Sequence, residues 1–259
     1  MCSIVIHRAP ESAWPVIFAG NRDEMKDRPW KAPARHWPDR PEMTAGLDVL
    51  AGGSWLGVND HGVLACVLNR YGSLGPAADK RSRGELVLEA LDHADAAEAA
   101  AALTALEPAA YRSFNLVIAD SRDAFWIKNG GGPSDRIETR AIPAGLSMLT
   151  ARDLNAPESP RIARYLPRFR AAPLPDVDGG DWLAWQELLA SREIAKGEPA
   201  SAMTVVYDSG FETVSSSLIA LPAPAAETRP PVWRFAPGRP DKVGYEDLDL
   251  GDFSQSLSS

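Results

Sequence analysis

Apolar and polar positions alternate along this chain in short runs, broken by proline, glycine and asparagine. Ser3 to Ile6 and Val16 to Ala19 read as strands, with the turn between them at Pro10 to Pro15. A hairpin of these two strands brings Asn21, Arg22 and Asp23 within reach of Cys2. Lys26 to Glu42 is rich in Pro, Arg and Trp and reads as an irregular loop, which Trp30 and Trp37 argue is not disordered. Gly52 to Asn69 predicts a second hairpin about the turn Asn59-Asp60-His61-Gly62. Ser82-Arg83-Gly84-Glu85 has the form of a capping box and predicts a helix to about Leu91. An Ala-rich helix follows from about Ala94 to Leu106. Asn115 to Asp120 and Ala124 to Lys128 predict another hairpin. Asn129-Gly130-Gly131-Gly132-Pro133 then reads as a turn, since it lacks the strand, helix and Lys-Ser/Thr context of a phosphate loop.

In the second half, Leu146 to Thr150 reads as a short strand. Ser159 to Ala171 and Asp181 to Ser191 read as helices. Ala202 to Tyr207, Val214 to Leu221 and Val232 to Phe235 read as strands. The expected organisation is one domain over residues 1–245, followed by a polar tail, 246–259, that frays. Strands come in hairpin groups separated by pairs of helices, without strict βαβ alternation. That order predicts an α+β fold of two mainly antiparallel sheets packed face to face, with helix layers outside.

Composition narrows the function classes. The chain has 259 residues, 45% of them hydrophobic, enough for a large packed core. A net charge of −8 disfavours a nucleic-acid or anionic-membrane partner. Two cysteines, Cys2 and Cys66, make no disulfide framework and suit a reducing, cytoplasmic setting. The four histidines fall in no zinc or haem-attachment pattern, so no metal and no cofactor is expected. No apolar run is long enough to span a membrane, and no signal peptide is read.

Cys2 carries the candidate chemistry. Trimming of Met1 would give it a free α-amine. A thiol of pKa ~8.5 beside an amine of pKa ~8 is a nucleophile with its own base. Arg22 supplies the positive charge that helps such a thiol to ionise. Asp23 would accept from the α-ammonium or a bridging water. Asn69, ending a strand, would donate its side-chain amide to a developing oxyanion. Asn21, Trp55 and Asn155 are candidates for binding substrate, and Arg152 and Asp153 lie beside Asn155. Each also has a plain structural reading. Cys2 suits a buried strand, Asp23 and Asn21 a turn, Asn69 a strand end and Trp55 a core. Cys66 reads as buried and inert.

Met1-Cys2, Asn21-Arg22-Asp23-Glu24, Gly53-Ser54-Trp55-Leu56-Gly57-Val58, Leu68-Asn69 and Thr213-Val214-Ser215-Ser216-Ser217 together resemble the NRDE family, also called the transport and Golgi organisation 2 family. The opening Met-Cys, the Arg and Asp of the second strand, and Gly57-Val58-Asn59-Asp60-His61-Gly62 leading to Leu68-Asn69 are more distantly similar to the choloylglycine hydrolase and penicillin V acylase group of N-terminal-nucleophile hydrolases. That resemblance implies a four-layer αββα sandwich. The group writes Arg-Asn-x-Asp where this chain has Asn21-Arg22-Asp23. Its later Asn, and the Arg beyond its Ser-rich strand, have no counterpart in place here. Two functions are thereby implied. One is an N-terminal-cysteine hydrolase of a small-molecule amide or acyl substrate with a linear C–N or ester bond. The other is a non-catalytic carrier of haem or lipid. Oligomeric state is not legible.

Overall fold

The computed structural model describes residues 2–131, 136–224 and 229–250. In chain order the strands of the first half are β1 (Ser3–Arg8), β2 (Val16–Met25), β3 (Trp30–Ala34), β4 (Met43–Asp48), β5 (Leu56–Asn59), β6 (Leu64–Asn69), β7 (Phe114–Ala119) and β8 (Ala124–Asn129). They are followed by β9 (Ile137–Ala141), β10 (Gly145–Leu149), β11 (Phe211–Leu221), β12 (Val232–Ala236) and β13 (Glu246–Asp247). The helices are α1 (Gly84–Leu91), α2 (Ala96–Thr104), α3 (Pro160–Ala171) and α4 (Leu183–Ala190). The chain divides into two compact units. One takes Met1–Arg28, Pro143–Ala220 and Pro231–Asp249, the other Pro29–Ile142, Leu221–Pro230 and Leu250–Ser259.

The first unit holds the sheet β10-β1-β2-β11-β12-β13. β1 pairs antiparallel with both β2 and β10, and β12 pairs antiparallel with β11 and β13. Side chains alternate between sheet faces, so Val5, Ile17 and Ala19 share one face. That face packs on α3 and α4 through Ile162, Tyr165, Phe169, Trp185 and Leu189. α3 suits this role because Ile162, Tyr165, Leu166 and Phe169 follow the i, i+3, i+4, i+7 spacing of one helix face. Its start is set by Ser159, whose hydroxyl accepts from the Ile162 N–H, and by Pro160 in the first turn.

The second unit holds β3-β4-β5-β6-β7-β8-β9, a run of antiparallel neighbours. Ala65, Leu116, Ile118 and Ile127 of this sheet pack on Leu86, Leu91, Ala99 and Leu103 of α1 and α2. Asp95 caps α2 by accepting from Glu98 N–H at 2.8 Å. The turn Asn59-Asp60-His61-Gly62 forms as expected, with Gly62 at φ 81°. Asn59 ties it down. Its Oδ1 accepts from His61 and Val63 N–H, and its Nδ2 donates to the Leu91 and His93 carbonyls at the end of α1.

Four expectations are corrected. The Lys26–Glu42 loop contains β3. This is an edge strand whose pairing with β4 shifts register between Lys31 and Ala34, around Pro33, so no clean alternation marks it. Ala202 to Tyr207 is no strand. Thr204 N–H donates to the Ser191 carbonyl, Val205 N–H to Thr213 Oγ1, and the Met203 carbonyl accepts from Asn21, which uses groups a ladder would need. The capping box at Ser82 is replaced. Ser82 Oγ accepts from Gly84 N–H, and Glu85 pairs with Arg81 at 2.8 Å, a charged donor stronger than a backbone amide. In the tail, Glu246–Asp247 forms β13, while residues 251–259 lie outside the described residues. Of the glycine turn at 129–133, residues 132 and 133 also lie outside them.

Candidate active site

The β1–β2 register pairs Ser3 with Asn21 and Ile4 with Gly20. Continued by one residue, it sets Cys2 opposite Arg22. Opposed residues of an antiparallel pair share a face, so Cys2 and Arg22 lie on one side of the sheet. Asn21 and Asp23 lie on the other, with Ala19 and the helix layer. The Asp23 backbone reaches Cys2 all the same. Its N–H donates to Cys2 Sγ at 3.4 Å, and the thiol donates to its carbonyl at 3.7 Å. Burial pushes the Cys2 thiol up, and the Asp23 charge pushes it the same way. The amino terminus, the Asp23 N–H and Arg22 pull it down. The net direction is upward, which favours the protonated thiol at neutral pH.

Asp23 itself is held by two residues distant in sequence. Arg161 Nη1, on the first turn of α3, lies 3.0 Å from its Oδ2, and Thr213 Oγ1 donates to its Oδ1 at 2.7 Å. The Asp23 side chain is 0% exposed and that of Arg161 4%. Arg161 was not singled out in the sequence because 138 residues separate the pair and no local spacing marks such a contact. The hydroxyl-rich strand around Thr213 was the only visible signal.

Asn21 is fully engaged inside the first unit. Its Nδ2 donates to the carbonyls of Leu189 (2.9 Å) and Met203 (3.1 Å), and its Oδ1 accepts from Ser216 Oγ (2.7 Å). Ser216 Oγ also lies 2.6 Å from the Tyr245 hydroxyl, whose phenol burial pushes up. This places Asn21 as a fastener of β2 to the last turn of α4 and to the segment at Met203. Asn155, at φ 57°, clips its own loop to β10. Its Oδ1 accepts from Met148 N–H at 2.8 Å, and its Nδ2 donates to Ser147 Oγ at 3.1 Å.

The remaining candidates belong to the second unit. Asn69 ends β6 opposite Phe114. Alternation gives it the face of Ala65 and Val67, which packs on α1 and α2. Arg70 turns to the opposite face and donates to Asn115 Oδ1 at 2.7 Å, which also accepts from Trp126 Nε1 at 3.1 Å. Trp55 packs edge-on against Trp30, ring centroids 5.8 Å apart. Its indole lies over Gly46, where a Cβ would come within 2.4 Å of the ring. Cys66 is buried, as its strand position predicts. Among the described residues no His, Cys, Asp and Glu side chains group to hold a metal ion, and no helix is long and apolar enough to cross a membrane.

Comparison with solved structures shows the fold. An ortholog of N-acylethanolamine-hydrolyzing acid amidase from Caenorhabditis elegans superposes with a TM-score of 0.57 at 14% identity, over 85% of this chain and 92% of that one. A mutant of the conjugated bile acid hydrolase of Clostridium perfringens gives 0.54 at 11% identity, over 98% and 94%. The α+β fold of N-terminal-nucleophile hydrolases is therefore present. In sequence, the Transport and Golgi organization 2 homolog of Mus musculus is 35% identical over 127 residues, 46% of this chain and 45% of that protein. The Homo sapiens homolog is 36% identical over 129 residues, with the same coverage. The match thus spans about half the length of these relatives. Residues 1–174 match the family described as Transport and Golgi organisation 2, and this larger match takes in most of the 259 residues. The chain belongs to the Transport and Golgi organisation 2 family.

Proposed function

We propose that this protein is an N-terminal-cysteine hydrolase of a linear, non-peptide amide or ester in a small acyl-bearing molecule. One observation carries the reading. The Cys2 thiol is seated against the Asp23 N–H on a strand pair whose register gives it the same face as Arg22. A thiolate at that place accepts a backbone hydrogen bond and faces a guanidinium, the two influences that favour its formation.

With Met1 removed, the α-amine of Cys2 takes the thiol proton and Sγ attacks the substrate carbonyl. The C–N or C–O bond then breaks, and the α-ammonium returns its proton to the departing amine or alcohol. Water, deprotonated by the same amine, cleaves the thioester, releasing the acid and restoring the thiol. Removal of Met1 moves the amino group onto Cys2 itself, so the positive charge it gains with the thiol proton lies beside Sγ and offsets the burial that disfavours the thiolate. The fold neighbours are named for hydrolysing N-acylethanolamines and conjugated bile acids, and these amides of small amines supply the first substrates to try.

The test is a panel of such amides and the corresponding esters, assayed with the native chain and with Cys2→Ala. Turnover by the native chain that falls at least a thousandfold in the variant is expected, as for loss of a catalytic nucleophile. Equal turnover by both, or none by either, would sink the hydrolase reading. It would favour carriage of haem or an acyl lipid.

A further inference from the structure

The Asp23 carboxylate is engaged at both oxygens, by Arg161 at 3.0 Å and by Thr213 at 2.7 Å. Thr213 is itself oriented, because its Oγ1 accepts from Val205 N–H at 3.0 Å while donating to Asp23. Arg161 is fixed at the capped start of α3. The grip therefore joins β2, α3 and β11 at a residue whose backbone hydrogen-bonds Cys2 Sγ. We propose that Arg161 and Thr213 are positioning residues for Cys2: by holding both oxygens of Asp23 they keep its N–H aimed at Sγ and counter its negative charge.

The electrostatics follow from burial. Neither member of the ion pair is appreciably solvated, so water screens their fields little. Asp23, Arg22 and the amino terminus are the charged groups acting on the Cys2 thiol, and of these Asp23 opposes its ionisation. A cation 3.0 Å from that carboxylate reduces the opposition. The pair already acts on a neighbour in this way. The Tyr207 phenol is moved up chiefly by burial, with Arg161 pulling it down and Asp23 pushing it up.

This inference rests on Cys2 as the working thiol, but its test reads the thiol without any substrate. The rate of Cys2 alkylation by iodoacetamide, located by peptide mass, is followed from pH 6 to pH 10 in the full chain. The native protein is compared with Arg161→Gln, Arg161→Lys and Thr213→Val. Arg161→Gln is expected to move the midpoint up by about one pH unit and slow alkylation about tenfold at fixed pH, the size of effect a single nearby charge produces. Arg161→Lys should restore most of the rate. Thr213→Val, which keeps the ion pair, should slow it by about threefold.

A merely structural role predicts the opposite sign, since a loosened hairpin exposes Cys2 and speeds its alkylation. Unchanged or faster alkylation in the folded variants would overturn the proposal, and Thr213→Val decides the matter if Arg161→Gln does not fold. Amide turnover measured on the same samples separates the two readings. Shifted midpoints without turnover in the native chain would remove the hydrolase function and leave the positioning role standing.

Discussion

Asp23→Ala is expected to lower the unfolding free energy by about 3–5 kcal/mol, because it leaves the Arg161 guanidinium buried without its carboxylate. Arg161 and Asp23 are 4% and 0% exposed, so neither charge can turn outward to water without disturbing the helix start or the strand. Thr213 also loses its acceptor. The companion Arg161→Leu should be costly alone. The double variant Asp23→Ala/Arg161→Leu should cost much less than the sum, since the desolvation of both charges disappears together. Urea unfolding of the four proteins measures this coupling. Additive losses would mean that the ion pair contributes no specific interaction.

Asn21→Ala is the second large effect, about 3 kcal/mol. It removes two bonds to carbonyls and one from Ser216, all buried, and leaves those groups to find water they cannot reach. The nearly isosteric Asn21→Asp separates shape from hydrogen bonding. A carboxylate there would face the Leu189 and Met203 carbonyls with no proton to offer. Its folded pKa is therefore raised above the unfolded value near 3.9. A raised pKa contributes stability that is present below the unfolded value and lost as pH rises through the folded one. Asn21→Asp should accordingly come closest to the native protein in acid and fall furthest behind it at neutral pH. Thermal melts from pH 4 to pH 7 test this, and a gap that does not widen with pH would contradict the assignment.

Much of the fold was legible because local rules and tertiary structure agree. Ile4-Val5-Ile6 and Val16-Ile17-Phe18 are β-branched or aromatic runs around a Pro-rich turn, and they pair in the anticipated hairpin. Asn59 and Gly62 mark their turn by residue type alone. β3 and β9 were missed for a shared reason: as edge strands they alternate poorly, and Pro33 or the polar Glu138-Thr139-Arg140 run hides them. Ala202 to Tyr207 reads as a strand by composition, yet Asn21 and Thr213 take its backbone groups.

The site was legible only where it is local. Proximity of Cys2 to Asp23 follows from one hairpin, and the face shared by Cys2 and Arg22 from its register. Register also separates Asp23 from Arg22, a distinction that adjacent letters in a motif do not convey. The grip of Arg161 on Asp23 depends on how α3 docks, and no spacing rule reaches across that distance.

Intact mass and peptide mapping after brief exposure to a p-nitrophenyl acyl ester decide whether Cys2 is the nucleophile. One acyl group per chain is expected, attached to Cys2 of molecules that lack Met1, forming faster as pH rises and absent from Cys2→Ala. No adduct on such chains, or an acyl group on another residue, would contradict the assignment of Cys2 as the nucleophile.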